Sequence, residues 1–233
     1  MEFLFNNLTI KINDSSVENW CTHTVQPGDR IAFGYATAGC RAYLAVAGGI
    51  QAPLIFNSLS TVVREKLGGL CKKGTALKKN DILPCQPNPA SAQRSVPKQY
   101  HCQFNTDIAE IRMVTGYQFE QFNKEQISQF FSTDYIISQH SDRMGYRLEG
   151  PAITVSSCEM LSEGICLGAV QLPADGKPII LLCDRQTIGG YPKLGSVISE
   201  DIAKLAQMMP GQKLRFLPIS VDQAQQLLSK NGV

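Results

Sequence analysis

No apolar stretch in this 233-residue sequence approaches the ~18 residues that a membrane-spanning helix needs. The N-terminus, MEFLFNNLTIKIND, has no basic leader and no long apolar segment, so it does not read as a secretory signal and a cytoplasmic location is expected. Charge of one sign is also missing. The 22 basic and 20 acidic residues leave a formal charge of +2, which offers no strong field for nucleic acid. The paired lysines at 72–73 and 78–79 read as solvated turn residues. Eight cysteines, at 21, 40, 71, 85, 102, 158, 166 and 183, form no Cys-x-x-Cys, and the three histidines lack metal-ligand spacing. Neither a disulfide framework nor a metal site is expected, and the thiols read as buried and free. The phosphate loop, the dinucleotide Gly-x-Gly-x-x-Gly, the Gly-x-Ser-x-Gly elbow and His-Glu-x-x-His are all absent. Any enzyme built on this chain uses a less familiar arrangement.

What is present is a series of short apolar runs broken by turn signals, with 43% hydrophobic residues to build a core. The pattern predicts a mainly β fold with a few short helices. Phe3, Phe5, Leu8, Ile10 and Ile12 alternate with polar residues as in a strand. Hairpins are expected at HTVQ-PGD-RIAFG and AVQL-PADG-KPIILL, with Asp175 serving the second turn. RAYLAVAGG and KLRFLPI read as further strands. Helices are expected over 58–67, ending at Gly68–Gly69, over 122–131, over 199–209 with Ser199 as N-cap, and from Ser220 through VDQAQQLLSK. The segment 86–100, rich in proline and serine, reads as a linker between residues 1–85 and residues 101–233. PGDRIAF (27–33) and PGQKLRF (210–216) echo one another across it, as two related barrels would.

Two segments, SDRMGYRLEGP (141–151) and DRQTIGGYPK (184–193), pack charged, amide and hydroxyl groups among glycines. Ionised groups are costly to bury unless paired, and glycine permits positive φ or close approach to a ligand. Polar loops on a β scaffold commonly build a site, and two about 40 residues apart suggest one shared pocket. Ser141, Asp142, Arg143 and Arg147 come from the first segment, with the arginine forks suited to carboxylate or phosphate. The second supplies Asp184, Arg185, Gln186, Thr187, Gly189, Gly190, Tyr191 and Lys193. Ser162, Glu163 and Gly164 form a third candidate and Gln171 a fourth. Each polar cluster has a structural alternative, an ion-pair network or a tight turn. NSLST (57–61), ahead of the expected helix, reads either as plain capping or as an anion cradle.

RAYLAVAGGI, SDRMGYRLEGP and the run from SEGICLGAVQLPADGKPIILLCDRQTIGGYPKLGSV to PGQKLRF together resemble the family of 5-oxoprolinase C-type subunits. The same family is described as allophanate hydrolase subunit 2-like, KipA-like, or the carboxyltransferase domain of urea amidolyase. The resemblance implies cyclophilin-like β barrels, the first of them incomplete here, because the family's usual N-terminal third has no counterpart in this sequence. It implies two 5-oxoprolinase partners, the B-type (KipI-like) and A-type subunits, and ATP with Mg at the level of the complex, with no biotin or metal held by this chain. The implied reaction opens 5-oxoproline to L-glutamate with ATP hydrolysis, and stand-alone activity is not expected. Alternatives are a regulator that binds a KipI-like kinase inhibitor, a biotin-dependent carboxyltransferase component, and an inactive truncated remnant. The family's Gly-Ser-Arg-Ser-Thr stands here as Asn57-Ser58-Leu59-Ser60-Thr61, without its charged donor.

Overall fold

The computed structural model describes residues 2–4, 8–88, 92–101, 108–154 and 160–230, in two compact units, 1–103 and 104–233. Cys102 and Cys158 lie outside the described residues.

In the first unit, β1 (Glu2–Leu4), β4 (Cys21–Thr22) and β6 (Tyr43–Ala45) make a sheet in the order β4-β1-β6. A second sheet, β3-β2-β5, joins β2 (Leu8–Ile12), β3 (Ser15–Val17) and β5 (Ile31–Ala36). Asn13 and Asp14, both at positive φ (50° and 68°), turn β2 into β3, as a two-residue hairpin requires. Ile10 is buried among Leu8, Val17, Ile31 and Leu44. These sheets do not close into a barrel among the described residues.

Three expectations change in this unit. Residues 23–26 are not strand, so β5 pairs with β2 instead of forming a hairpin across Pro27–Gly28. Residues 58–67 are not helix: Ile55 bridges Ser58, and Val62 bridges Leu67. Beta-branched Thr61, Val62 and Val63 disfavour helix, and Gly68 (φ 69°) lies so close to the Ser60 carbonyl that a Cβ would collide with it. The segment therefore folds back on itself. Part of 86–100 is also bound into the first unit: the Thr22 amide donates to the Arg94 carbonyl (2.8 Å), and the Val96 amide to that of Trp20 (2.9 Å).

The second unit is built on a closed barrel, β11-β12-β9-β8-β15-β7-β14. In chain order its strands are β7 (Ala109–Thr115), β8 (Tyr135–Ile137), β9 (Gly145–Glu149), β11 (Ala169–Gln171), β12 (Ile179–Leu181), β14 (Lys193–Val197) and β15 (Lys213–Pro218). A separate ribbon pairs β10 (Glu163–Gly164) with β13 (Ile188–Gly189). Phe130, Tyr135, Phe216, Ile111, Leu148 and Ile180 fill the interior, with Phe130 stacked on Phe216 at 4.6 Å between ring centroids. Burial pushes the Tyr135 phenol up to about 12, so it stays neutral in that core. The expected 169–181 hairpin forms around Gly176 (φ 70°). Both echoing Pro-Gly turns place glycine at positive φ, Gly28 at 92° and Gly211 at 89°, and each leads into a strand.

Helix α1 (Lys124–Ser132) opens with a capping box in which Asn123 and Gln126 exchange side-chain-to-backbone hydrogen bonds. Its predicted apolar face lies on the core through Ile127, Phe130 and Phe131. Helix α2 (Ser199–Ala206) is flanked at its start by Ile198, so Ser199 is its first residue and not its cap. Helix α3 (Val221–Lys230) starts with Ser220 Oγ accepting from the Gln223 amide (3.2 Å). No helix among the described residues is long and apolar enough to cross a membrane.

The expectation of buried thiols is overturned. Cys40, Cys71, Cys85, Cys166 and Cys183 are exposed and Cys21 is half-buried. Most of them stand in loops or at strand ends, where apolar neighbours in sequence do not translate into core positions.

Candidate functional site

Side chains alternate across a strand, so each barrel strand sends one set into the core and the other outward. In β11, Val170 belongs to the core, whereas Ala169 packs outside with Ile165, Leu181 and Ile179. Gln171 shares the face of Ala169 and therefore points outward. The sheet register pairs Gln171 with Lys193 of β14 on one side and with Ile179 of β12 on the other, and Ile179 pairs with Arg147 of β9. Lys193, Gln171, Ile179 and Arg147 thus form one row across the outer face of four neighbouring strands. At the usual spacing between strands the row spans roughly 14 Å.

The β10–β13 ribbon covers one end of this row. Lys193 Nζ lies 2.5 Å from Glu163 Oε1 and donates to the Gly164 carbonyl (3.2 Å). Glu163 also accepts from the Tyr117 hydroxyl and from Gln118 Nε2 (2.8 Å). Gln118, only 1% exposed, accepts in turn from the Lys193 amide (2.6 Å). The Lys193 ammonium and then the Tyr117 hydroxyl hold the Glu163 carboxyl below its ordinary value, and the Glu163 carboxylate raises that of Tyr117. Gln186 Nε2 donates to Gln171 Oε1 (3.3 Å), and Gly189 lies near the Gln171 amide, to which an added Cβ would come within 3.4 Å. Ser162 lies beside Gly190, Tyr191 is exposed at the edge, and Thr187 contributes its carbonyl to the Ile165 amide (2.9 Å).

The two polar segments also meet. Arg143 contacts Asp184 through two nitrogens, Nε to Oδ2 at 3.0 Å and Nη2 to Oδ1 at 3.1 Å. The Asp184 amide donates to the Arg143 carbonyl, and the Leu182 amide to that of Met144. This arrangement occupies the Arg143 fork. Asp142 accepts from the Met144 and Gly145 amides (2.8 and 3.2 Å), holding the turn, and Ser141 Oγ accepts from the Arg147 amide (3.1 Å). Asp175 likewise accepts from the Lys177 amide at its hairpin turn. Arg185 donates to the carbonyls of Ile165 and Leu182 (3.3 and 3.4 Å), tying the ribbon to the strand end. Arg147 is exposed, and no carboxylate pairs with it among the described residues. Of the cations singled out from the sequence, Arg147 is therefore the one open to an anionic group. With no helix after NSLST, the helix N-terminus needed for an anion cradle there does not exist; Ser58 Oγ accepts from the Ser60 amide in a turn.

Tyr117 and Gln118 were not legible as site residues. The available signal was Gly116–Tyr117 directly after a strand, the same glycine–tyrosine step that closes the 184–193 segment.

The carboxyltransferase domain profile, subdomains A and B, matches residues 6–218. The chain belongs to that family. It is 33% identical over 215 residues to the C-type 5-oxoprolinase subunit of Escherichia coli, covering 92% of this chain and 67% of the relative. It is 31% identical to the C-type 5-oxoprolinase subunit of Haemophilus influenzae, covering 95% and 70%. Among solved structures, the K. lactis urea amidolyase superposes with a TM-score of 0.88 at 26% identity, over 98% of this chain. This chain spans 15% of that enzyme, so most of the amidolyase has no counterpart here. The family membership makes this carboxyltransferase-domain chain a relative of subunits and domains of larger enzymes.

Proposed function

We propose that this chain is the C-type component of a cytoplasmic, ATP-dependent 5-oxoprolinase that opens 5-oxoproline to L-glutamate together with A-type and B-type partners. The observation that carries the reading is the 33% identity to the E. coli C-type protein over two thirds of its length. The chemistry explains the demand for ATP. A lactam carbonyl is a poor electrophile. Transfer of the γ-phosphoryl group to its oxygen, with ADP leaving, activates the carbon for attack by water. Collapse of the adduct breaks the C–N bond and leaves an acyl phosphate, which a second water hydrolyses to glutamate and phosphate.

Such a sequence needs fixed donors for oxygen atoms that gain charge and a cation for the carboxylate. The outer row supplies groups of both kinds: the Gln171 amide and the Lys193 ammonium at one end, and the exposed Arg147 fork two strands away. The test is 5-oxoproline-dependent ATP hydrolysis by this chain mixed with its cognate A-type and B-type partners. Turnover lost on omitting this chain supports the assignment; turnover that is the same without it overturns the assignment.

A second reading, carboxyl transfer linked to biotin, is favoured by the likeness to the K. lactis urea amidolyase. Avidin separates the two, because it would abolish biotin-dependent transfer and leave lactam opening untouched.

A further inference from the structure

Among the described residues, the outer face of the second barrel holds one buried hydrogen-bond donor without a partner. Gln171 is 2% exposed, its Oε1 accepts from Gln186, and its Nε2 is buried without a partner. A buried amide N–H left unpaired destabilises a fold, so its presence calls for a compensating role. What covers it is the β10–β13 ribbon. A Cβ on Gly189 would stand 3.4 Å from Gln171 Nε2 and 2.6 Å from Ile165 Cδ1, so Gly189 sits close beside the amide and a side chain there would displace Ile165.

The ribbon is weakly built. Its ladder consists of two residue pairs, Glu163 with Gly189 and Gly164 with Ile188, too few for a free-standing two-stranded sheet. It carries exposed Leu161 and Ile188. Its attachment is mainly polar, Lys193, Tyr117 and Gln118 to Glu163 and Arg185 to the Ile165 carbonyl, with one apolar anchor, the Ile165 side chain against Ala169 and Leu181. Lys193 is also the sheet neighbour of Gln171. Lifting the ribbon therefore does two things at once: it uncovers the amide and releases the ammonium beside it.

We propose that the β10–β13 ribbon is a lid, and that on lifting it Gln171 Nε2 donates to a carbonyl or carboxylate oxygen of a small ligand, next to the freed Lys193 ammonium. The choice of 5-oxoproline as probe rests on the function proposed above; the lid and the donor rest on the geometry alone.

Two measurements test this in the full chain, the second also in its mixture with the A-type and B-type partners. Hydrogen exchange at the Ile165 amide, which bonds to the Thr187 carbonyl across the ribbon, rises about tenfold in Glu163→Gln while the barrel amide of Ile180 is unchanged, as local opening requires. Equal exchange in wild type and variant overturns the lid. Gln171→Leu, with Gln171→Met as a second apolar variant, melts at the wild-type temperature or above it. It also loses about tenfold in kcat/KM for 5-oxoproline-dependent ATP hydrolysis, as expected for a ligand bond removed. A clear fall in melting temperature with undiminished turnover overturns the donor role and leaves the 5-oxoprolinase assignment standing. No turnover by the wild-type mixture overturns that assignment instead, and the exchange and melting results still decide the lid and the donor.

Discussion

Asp201 should be the most damaging single truncation among the surface-linked residues of the second unit. It is 5% exposed and accepts three hydrogen bonds from Arg112: the backbone amide and Nη2 at 2.7 Å each, and Nε at 2.9 Å. The backbone bond explains why. Strand β14 pairs with β7 up to Val197 opposite Met113, and Ile198 still donates to the Arg112 carbonyl (3.1 Å), but the chain then turns into α2, so the Arg112 amide bonds to the helix carboxylate and not to a β14 carbonyl. The α2 carboxylate takes the place of the departed strand. Asp201→Ala would strand one backbone N–H and a guanidinium whose side chain is only 33% exposed. Breaking a buried pair from one side costs about 3–5 kcal/mol, and partial hydration of Arg112 favours the lower end. About 3 kcal/mol corresponds to a fall in Tm of roughly 10 °C for a chain of this size. Thermal denaturation followed by circular dichroism checks it. Asp201→Asn, which keeps one acceptor, should fall between the two. A drop below about 3 °C for Asp201→Ala would show that the amide and guanidinium find other partners, and would refute the reasoning.

The ribbon's attachment should depend on pH. The folded-state pKa of Glu163 is held below its ordinary value, so this contribution is present above the unfolded pKa and is lost as pH falls through the folded one. Exchange protection of the Ile165 amide, taken relative to Ile180, should hold from neutral pH down to about 4.5 and decline below it, with a flat profile in Glu163→Gln. A decline in both proteins would assign the transition to another group. Gly195→Ala should fail to give a stable second unit, because a Cβ there collides with the Val114 carbonyl and lies 2.6 Å from Met113 Cε inside a closed barrel. Soluble Gly195→Ala protein with wild-type Tm would contradict the close β14–β7 packing.

The second unit was more legible in the sequence than the first. Its apolar runs are bounded by strong turn signals, and Pro210–Gly211 and Asp175–Gly176 place β15 and the β11–β12 hairpin without ambiguity of register. Asn123 and Ser220 cap helices whose apolar spacing is plain. The helix expected at 58–67 failed because its apolar residues also suit a tight fold-back, and the deciding contact, Gly68 against the Ser60 carbonyl, is tertiary. The meeting of the two polar segments was suggested by composition, but their division of labour was not. Nothing in SDRMG says that Arg143 spends its fork on Asp184 while Arg147 remains open. The role of Asp201 is equally hidden, since an acid in the first turn of a helix ordinarily serves the helix dipole and not a neighbouring strand.

The packing of the barrel decides where ligand chemistry can occur. Tyr135, Phe130 and Phe216, all fully buried, occupy the interior with their aliphatic neighbours, and a lumen filled in this way has no room for a substrate. Apart from the hydroxyls of Tyr135 and Tyr146, the alternation of the strands then sends the polar groups that could recognise one, Gln171, Lys193 and Arg147 among them, to the outside. On that outer face most polar groups are either exposed or paired with a neighbour. Gln171 is neither: it is buried beside Gly189 of β13 and only half satisfied. A leucine there would fill the same volume without an unpaired donor and would lose only the long 3.3 Å bond from Gln186, so folding alone gives little reason for glutamine at this position. The unpaired Gln171 donor therefore calls for a ligand oxygen on energetic grounds, independent of which small molecule supplies it.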